Sequence, residues 1–290
     1  MKTLLAVFDG HGGDYTANFL ERHVAEIFIS FIKDKDSTES GVIGSALIES
    51  ALIGSALSSM CMKLNEMLKN DSRFVNGIDT SGACGVVTIV TEKVVVVANV
   101  GDCRCMLRNR DGLLEELTED HTCKREDEEK RIMDAGGFVK NNRIYLDESC
   151  SGENQEPSRA WGDFQLSKAG IICSPELRVF ERDQGGGELL LLGCDGVFEV
   201  MSVEKVVGIV VKEAPSILKT VAEAVEEKVN ATTPKSRVSV IEHKQEEIVC
   251  RELKSACESV MLEGLEGTKG EDGKTSRCAD NQTMCMALLR

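Results

Sequence analysis

The stretch that decides the fold is GACGVVTIVTEKVVVVANVGDCRCMLR, residues 82–108. It contains runs rich in valine, and the first two runs are separated by a short polar segment that includes Thr91 and Glu92. β-Branched runs interrupted by a short polar turn are typical of antiparallel strands joined as a hairpin. The stretch therefore predicts an antiparallel sheet.

Further strands are predicted on both sides of this hairpin. They are LLAVF (4–8), LLEEL (113–117), FVKNNRIYLD (138–147), RVFERD (178–183), ELLLLGCDG (188–196) and QTMCMALLR (282–290). RVFERD and ELLLLGCDG are expected to form a hairpin around the glycines at 185–187. Helices are expected over 14–33, 41–69, 124–135, 202–212, 215–229 and 246–263. Because strands follow strands rather than alternate with helices, the pattern favours an α+β fold over a doubly wound parallel sheet.

The composition favours one domain spanning residues 1–290, with 230–247 as a candidate insertion. The formal net charge of −15 argues against a nucleic-acid phosphate backbone as partner. No apolar run approaches the roughly 18–20 residues of a membrane span, and no secretory leader is evident. We therefore expect a cytoplasmic or nuclear monomer, without membrane or nucleic-acid partners, whose twelve cysteines are reduced.

Four aspartates lie where apolar runs begin or end: Asp9, Asp102, Asp195 and Asp280. Each one alone is explained as a turn or a cap, because Asp-Gly is a common turn pair. If the strand ends share one rim, however, the carboxylates converge, and a hard divalent cation is the usual compensation for their repulsion. Mg²⁺ or Mn²⁺ suits such oxygen ligands better than Zn²⁺, and the spacing of cysteines and histidines also disfavours zinc.

Seven motifs, four of which carry these aspartates, stand in a family-specific order. They are VFDGHGG, DTSGACGVV, ANVGDCRCML, LTEDHTCKREDEEKRIMDAGG, PSRAWGDFQLSK, LLGCDGVFEVMS and ADNQTMCMALL. In this order the chain resembles the metal-dependent, type 2C serine/threonine protein phosphatases over nearly all of residues 4–289. The resemblance implies a four-layer α-β-β-α sandwich of two antiparallel sheets flanked by helices, which agrees with the strand pattern.

The resemblance also implies roles for individual positions. The positions that match ligands of two catalytic metal ions are Asp9, Gly10, Asp195 and Asp280, with Gly10 acting through its carbonyl. Asp120 matches an aspartate associated with a weaker third ion. His11 matches the histidine proposed to protonate the leaving serine or threonine oxygen, and together with Asp9 it makes up the catalytic pair.

The activity implied is Mg²⁺- or Mn²⁺-dependent hydrolysis of phosphoserine and phosphothreonine in phosphoprotein substrates. A metal-activated water attacks phosphorus without a phosphoenzyme intermediate, and His11 acts as general acid. The cytoplasmic or nuclear location expected above is compatible with such substrates.

The chain departs from the family's pattern at its start. Family members carry an upstream strand with an arginine that binds the substrate phosphate and a Glu-Asp pair near the metals. Here Met1 stands eight residues before Asp9, which predicts a sheet without that N-terminal strand segment. Three hypotheses follow: an active phosphatase, a catalytically impaired phosphatase-like binding or scaffold protein, and an unrelated two-metal hydrolase. The retained aspartates favour the first hypothesis, and the order of the motifs disfavours the third.

Overall fold

The computed structural model describes residues 3–36, 46–109, 111–182, 188–213, 259, 268–269, 275–276 and 284–289. The chain folds into two compact units. The first consists of Met1–Cys105 and Leu117–Arg182, and the second of Met106–Glu116 and Asp183–Arg290. The predicted helix 215–229, the candidate insertion 230–247 and nearly all of the predicted helix 246–263 lie outside the described residues. The single domain over 1–290 stays a prediction.

The first unit contains a five-stranded antiparallel sheet. Its strands are β1 (Thr3–His11), β2 (Gly82–Val90), β3 (Val94–Val100), β8 (Trp161–Gly162) and β9 (Glu176–Glu181). Their order is β1-β2-β3-β9, and the short β8 pairs with the beginning of β2. This arrangement places the start of β2 between the end of β1 and β8.

The β2–β3 hairpin confirms the prediction made from the valine runs. All residues of both strands are buried, which explains why the runs are continuously apolar rather than alternating. The Thr91 hydroxyl accepts hydrogen bonds from the backbone N–H groups of Lys93 and Val94, and the Thr91 N–H donates to the Val94 carbonyl. Thr91 therefore closes the turn with both its side chain and its backbone.

Two long helices cover this sheet and build the larger core. They are α1 (Tyr15–Asp36) and α2 (Ala46–Lys69), and residues 41–45 of the second predicted helix lie outside the described residues. Core residues of the helices, such as Leu20 and Leu57, cluster with sheet residues such as Val87 and Val96. Burial of this apolar surface is the dominant favourable contribution to the stability of the unit.

By length and composition alone, α2 is also apolar enough to cross a membrane. A helix in the core of a globular domain has the same composition, and nine residues of α2 are buried in this unit. Uninterrupted apolar runs do not reveal this property, because serines, Gly54 and charged residues are interspersed with the apolar residues of α2.

The rest of the first unit consists of short elements. They are α3 (Ser72–Val75), α4 (Glu126–Asp134), β6 (Phe138–Lys140), β7 (Arg143–Tyr145) and a 3-10 helix at Leu166–Ala169. The stretch 138–147, which was predicted to be strand, folds into a hairpin of β6 and β7. A small core with Ile132 of α4 and Ile144 of β7 at 0% exposure joins α4, β6, β7 and the 3-10 helix.

A buried carboxylate links α4 to the segment before β8. Glu128 is fully buried, and its Oε1 lies 2.6 Å from Nη1 of Arg131 and 2.6 Å from Nη2 of Arg159. The Ser158 hydroxyl donates to the same carboxylate. These partners hold the pKa of Glu128 at about 2, although burial by itself would raise it. Glu128 is thus a fully compensated charge in the interior.

The second unit contains a sheet formed by β4 (Arg104–Arg108), β5 (Leu114–Glu116), β10 (Glu188–Gly193) and β13 (Met284–Leu289). The strand order is β13-β10-β4-β5, and most of β4 belongs to this unit. The remaining elements are α5 (Asp195–Phe198), α6 (Val203–Glu213), β11 (Thr268–Lys269) and β12 (Thr275–Ser276). The described pairings β10–β13 and β4–β5 are antiparallel, as expected.

Two details of the strand prediction were wrong. RVFERD and ELLLLGCDG do not form a hairpin, because β9 pairs with β3 in one sheet whereas β10 belongs to the other. The apolar stretch at the start does not end its strand before Asp9 either. β1 continues through His11, since Asp9, Gly10 and His11 remain in register with β2.

The structure describes eight cysteines, and none of them forms a disulfide. Seven are buried, and Cys150 is the partly exposed exception among these eight. Burial raises the pKa of the Cys61 and Cys105 thiols well above the ordinary value, and raises that of Cys173 to about 11. The seven buried cysteines therefore act as small core residues.

Candidate active site

The end of β1 delivers the first group of predicted site residues. Asp9, Gly10 and His11 pair with Cys84, Ala83 and Gly82 of β2, in that order. Because side chains alternate along a strand, Asp9 and His11 point to one side of the sheet and Gly10 lies between them. The strand thus fixes a carboxylate and an imidazole next to each other, and all three residues are half-buried.

His11 makes a hydrogen bond that the sequence analysis did not anticipate. Its Nε2 lies 2.7 Å from Oδ2 of Asp163, a residue 152 positions away in the chain. Asp163 is 6% exposed, so its carboxylate is largely withdrawn from solvent. In such a setting a charge-assisted hydrogen bond is short and strong.

The electrostatic surroundings of His11 are acidic. Burial favours a lower pKa for the imidazole, but the hydrogen bond and charge of Asp163 and the charges of Asp102 and Asp9 outweigh it. The pKa of His11 is therefore raised above its ordinary value of 6.5. Asp102, which follows β3, thus lies close enough to act on the same imidazole.

Asp120 has a different environment from the other predicted ligands. Its two carboxylate oxygens accept hydrogen bonds from Nε and Nη2 of Arg104, at 2.9 and 2.7 Å. This bidentate ion pair occupies both oxygens and neutralises the charge. A cation at Asp120 would have to compete with the Arg104 guanidinium.

Asp195 lies in the second unit, where β10 passes into α5. Its Oδ1 is buried, and no group in the part of the chain that the structure describes shares a hydrogen bond with it. A buried carboxylate oxygen without a partner is costly, because it has lost its hydration without replacement. The chemistry of this oxygen fits a hard cation, which would supply the missing partner.

Within the first unit, the structure groups several of the predicted residues. Within the first unit, Asp9, His11 and Asp102 share one neighbourhood with Asp163. Asp195 belongs to the second unit, and Asp280 lies outside the described residues. Asp163 is the functional candidate that sequence reasoning missed. Its motif, PSRAWGDFQLSK, was recognised, but neither periodicity nor charge pattern distinguishes Asp163 from a turn residue.

A second histidine supports the loop that carries Asp102. The Nδ1 atom of His121 accepts a hydrogen bond from the Gly101 N–H at 3.1 Å, and the His121 N–H donates to the Gly101 carbonyl at 3.0 Å. Nε2 faces Glu176 at 3.4 Å. Burial and the charge of Arg159 lower the pKa of His121 to about 4, against the opposing influence of nearby carboxylates. His121 is therefore a neutral, structural residue.

This arrangement predicts a loss of stability in mild acid. The native state binds a proton at His121 less readily than the unfolded chain does, so stability is complete above pH 6.5 and falls as the pH drops towards 4. Between pH 7.5 and 4.5, we expect this group to remove about 2–3 kcal/mol from the free energy of unfolding. The check is urea unfolding of wild type and His121→Gln over this range. Equal pH slopes for both proteins would contradict the assignment.

The comparisons with known proteins agree with the motif order. The profile of a family described as Protein phosphatase 2C matches residues 1–236. "Probable protein phosphatase 2C 6" of Paramecium tetraurelia is 32% identical over 222 residues, which cover 72% of this chain and 69% of that protein. "Protein phosphatase 1B" of Homo sapiens is 30% identical over 211 residues, which cover 70% of this chain but only 42% of that protein.

A solved structure shares the fold. The serine-threonine phosphatase 2C from Toxoplasma gondii matches 79% of this chain and 80% of its own, with a TM-score of 0.64 and 24% identity. At this identity the likeness establishes the architecture alone. It confirms the α+β sandwich class predicted from the strand pattern.

Proposed function

The chain belongs to the protein phosphatase 2C family, the metal-dependent serine/threonine protein phosphatases, and from this premise we propose that it hydrolyses phosphoserine and phosphothreonine in proteins with Mg²⁺ or Mn²⁺ as cofactor. The main observation that supports the proposal is the buried Oδ1 of Asp195, which has no hydrogen-bond partner among the described residues. The half-buried Asp9 beside His11 is the second support.

The proposed ligands of two catalytic ions are Asp9, the Gly10 carbonyl, Asp195 and Asp280. When bound, divalent cations supply Lewis acidity towards phosphoryl oxygens and lower the pKa of water. A weaker third ion at Asp120 would have to compete with the Arg104 guanidinium, which forms an ion pair with this carboxylate. Because Asp102 lies close enough to act on His11, we propose it as the better candidate for that ion.

In this proposal, strand β1 orients His11, and His11 supplies a proton. The β1 register holds His11 two positions from Asp9, next to the proposed cation site. Its raised pKa keeps the imidazole protonated at a higher pH than an ordinary histidine. Protonated His11 can donate to the serine or threonine oxygen as it leaves phosphorus, which is the task of a general acid.

The decisive experiment is hydrolysis of phosphoserine and phosphothreonine peptides by the purified chain. We expect turnover in millimolar Mn²⁺ or Mg²⁺. Turnover should fall to background in EDTA and return when Mn²⁺ is added in excess of the chelator. Turnover that persists after complete chelation would contradict the proposal. Binding of a phosphoprotein without turnover under all conditions would support the impaired scaffold hypothesis instead.

The general-acid role predicts a dependence on the leaving group. His11→Ala is expected to lower kcat for a phosphopeptide by about 100-fold or more, because an alkoxide needs a proton to leave. For p-nitrophenyl phosphate the loss is expected to be small, since nitrophenolate leaves unaided. His23→Ala, which removes the half-buried histidine of α1, is the matched control. Equal losses on both substrates with cation binding intact would refute the role.

A further inference from the structure

We propose that Asp163 is a positioning residue for His11: it holds the imidazole through Nε2 and leaves Nδ1 as the nitrogen that gives a proton to the leaving oxygen. The inference rests on the proposed phosphatase function and deepens it. It names the group that orients the general acid. Asp163 itself is not proposed to touch the substrate or the cations.

The contact between the two side chains is direct and partly buried. Nε2 of His11 and Oδ2 of Asp163 lie 2.7 Å apart, and the Asp163 side chain is 7% exposed. An ionised carboxylate can only accept, so Nε2 carries the hydrogen in this pair. The imidazole therefore has one nitrogen committed to Asp163 and only Nδ1 left for another partner.

The backbone of Asp163 is held in an uncommon conformation. Its φ is +46°, a left-handed value that is uncommon for residues other than glycine. The preceding β8 is fixed to α2 by two hydrogen bonds, from Gly162 N–H to Asn65 Oδ1 and from Trp161 Nε1 to the Cys61 carbonyl, both at 3.0 Å. Strain that persists because its surroundings enforce it is a recurrent property of functional sites.

The neighbouring strand leaves room for the carboxylate. A Cβ atom on Gly82 would lie 2.1 Å from Oδ2 and 2.4 Å from Oδ1 of Asp163, so only glycine permits this position of the side chain. In the sheet Gly82 pairs with His11 on one side and with Gly162 on the other. Three strands thus bring imidazole and carboxylate together across a residue without a side chain.

The proton transfer balances without any further reactant. As the P–O bond to the serine or threonine oxygen breaks, the bonding electron pair stays on that oxygen. The hydrogen on Nδ1 of the imidazolium moves to the same oxygen and gives the neutral alcohol. His11 is left as neutral imidazole with its Nε2–H still donated to Asp163, and it regains a proton from water. A carboxylate that orients an imidazole in this way is a general device of acid–base catalysis.

The first test compares two substrates in Asp163→Asn and Asp163→Gly. Asparagine and glycine both tolerate a positive φ, so both variants keep the backbone conformation. We expect kcat for a phosphopeptide to fall about 10- to 100-fold with little change in KM, while kcat for p-nitrophenyl phosphate stays near wild type. The control is Asp71→Asn, which removes a carboxylate that accepts from the Tyr15 hydroxyl.

A double variant separates positioning from general damage. If Asp163 acts through His11, then Asp163→Gly in the His11→Ala background should cause no further loss on the phosphopeptide. Additive losses would overturn the proposal, because they would show that Asp163 acts independently of His11. Wild-type phosphopeptide turnover in both Asp163 variants would overturn it as well.

A spectroscopic measurement tests the positioning role of Asp163 independently of phosphatase activity. In protein with ¹⁵N-labelled histidine, the Nε2–H of His11 should give a slowly exchanging NMR signal that is lost in Asp163→Gly. If the wild type turns over neither substrate, the phosphatase function fails, but this signal still decides whether Asp163 holds the imidazole. A wild type that is active while the His11 signal is unchanged by Asp163→Gly refutes the positioning role alone.

Discussion

Asp195→Ala is expected to abolish the response of the protein to divalent cations and to lower kcat/KM for phosphopeptides by at least about 10³-fold. A cation that binds only the native state at 100 times its Kd stabilises it by about 2.7 kcal/mol. In the wild type, millimolar Mn²⁺ should therefore raise Tm. The variant lacks the buried oxygen that the cation would compensate, so its Tm should stay constant.

The expected direction of the stability change in the absence of cations provides a second test of Asp195. In EDTA the variant should be as stable as the wild type or slightly more stable, because the substitution removes an unpartnered buried oxygen. Thermal melts with and without Mn²⁺ measure both effects. Asp111→Ala, in the exposed turn between β4 and β5, is the control and should keep the full cation response. A Tm shift of wild-type size in Asp195→Ala would exclude this residue as a ligand.

Glu128→Ala is expected to destabilise the native state by about 3–5 kcal/mol, since it leaves two guanidinium groups without their shared buried partner. For a chain of this size that corresponds to a fall in Tm of roughly 6–20 °C. The pKa of about 2 adds a pH signature: the stabilisation by Glu128 is complete above pH 4.5 and is lost as the pH falls towards 2.

Differential scanning calorimetry of Glu128→Ala and Glu126→Ala would check this prediction. Glu126 lies on the same first turn of α4 but is exposed, so its removal should change stability by less than about 1 kcal/mol. A loss of similar size in both variants would mean that the helix terminus, rather than the buried network, is responsible.

Local sequence patterns predicted the helices and strands of the fold better than they predicted which strands pair. The valine runs around Thr91 specify the β2–β3 hairpin, because turn and strands are adjacent in sequence. RVFERD and ELLLLGCDG looked equally like a hairpin, yet β9 pairs with β3. Adjacent strands need not pair, and the partner of β9 is set by a surface that forms only when the chain folds.

The same distinction applies to the site. The Asp-Gly-His sequence at the end of β1 predicts a site from sequence alone, because its three candidate functional groups come from three consecutive residues. The His11–Asp163 hydrogen bond depends on β8 docking beside β2, and no sequence spacing encodes that contact. The pairing of Asp120 with Arg104 is likewise a product of folding. Motif order identified the family, but only coordinates show which carboxylates have partners.

The buried thiols can serve as reporters of local unfolding in this protein. Because the thiolate is the reactive form, a thiol such as Cys61 or Cys105 reacts only after local unfolding exposes it to water. The rate at which a soluble disulfide reagent labels each cysteine then measures how often that region opens. Oxidation of these thiols would follow unfolding rather than cause it, so damage would accumulate in molecules that have already lost their structure.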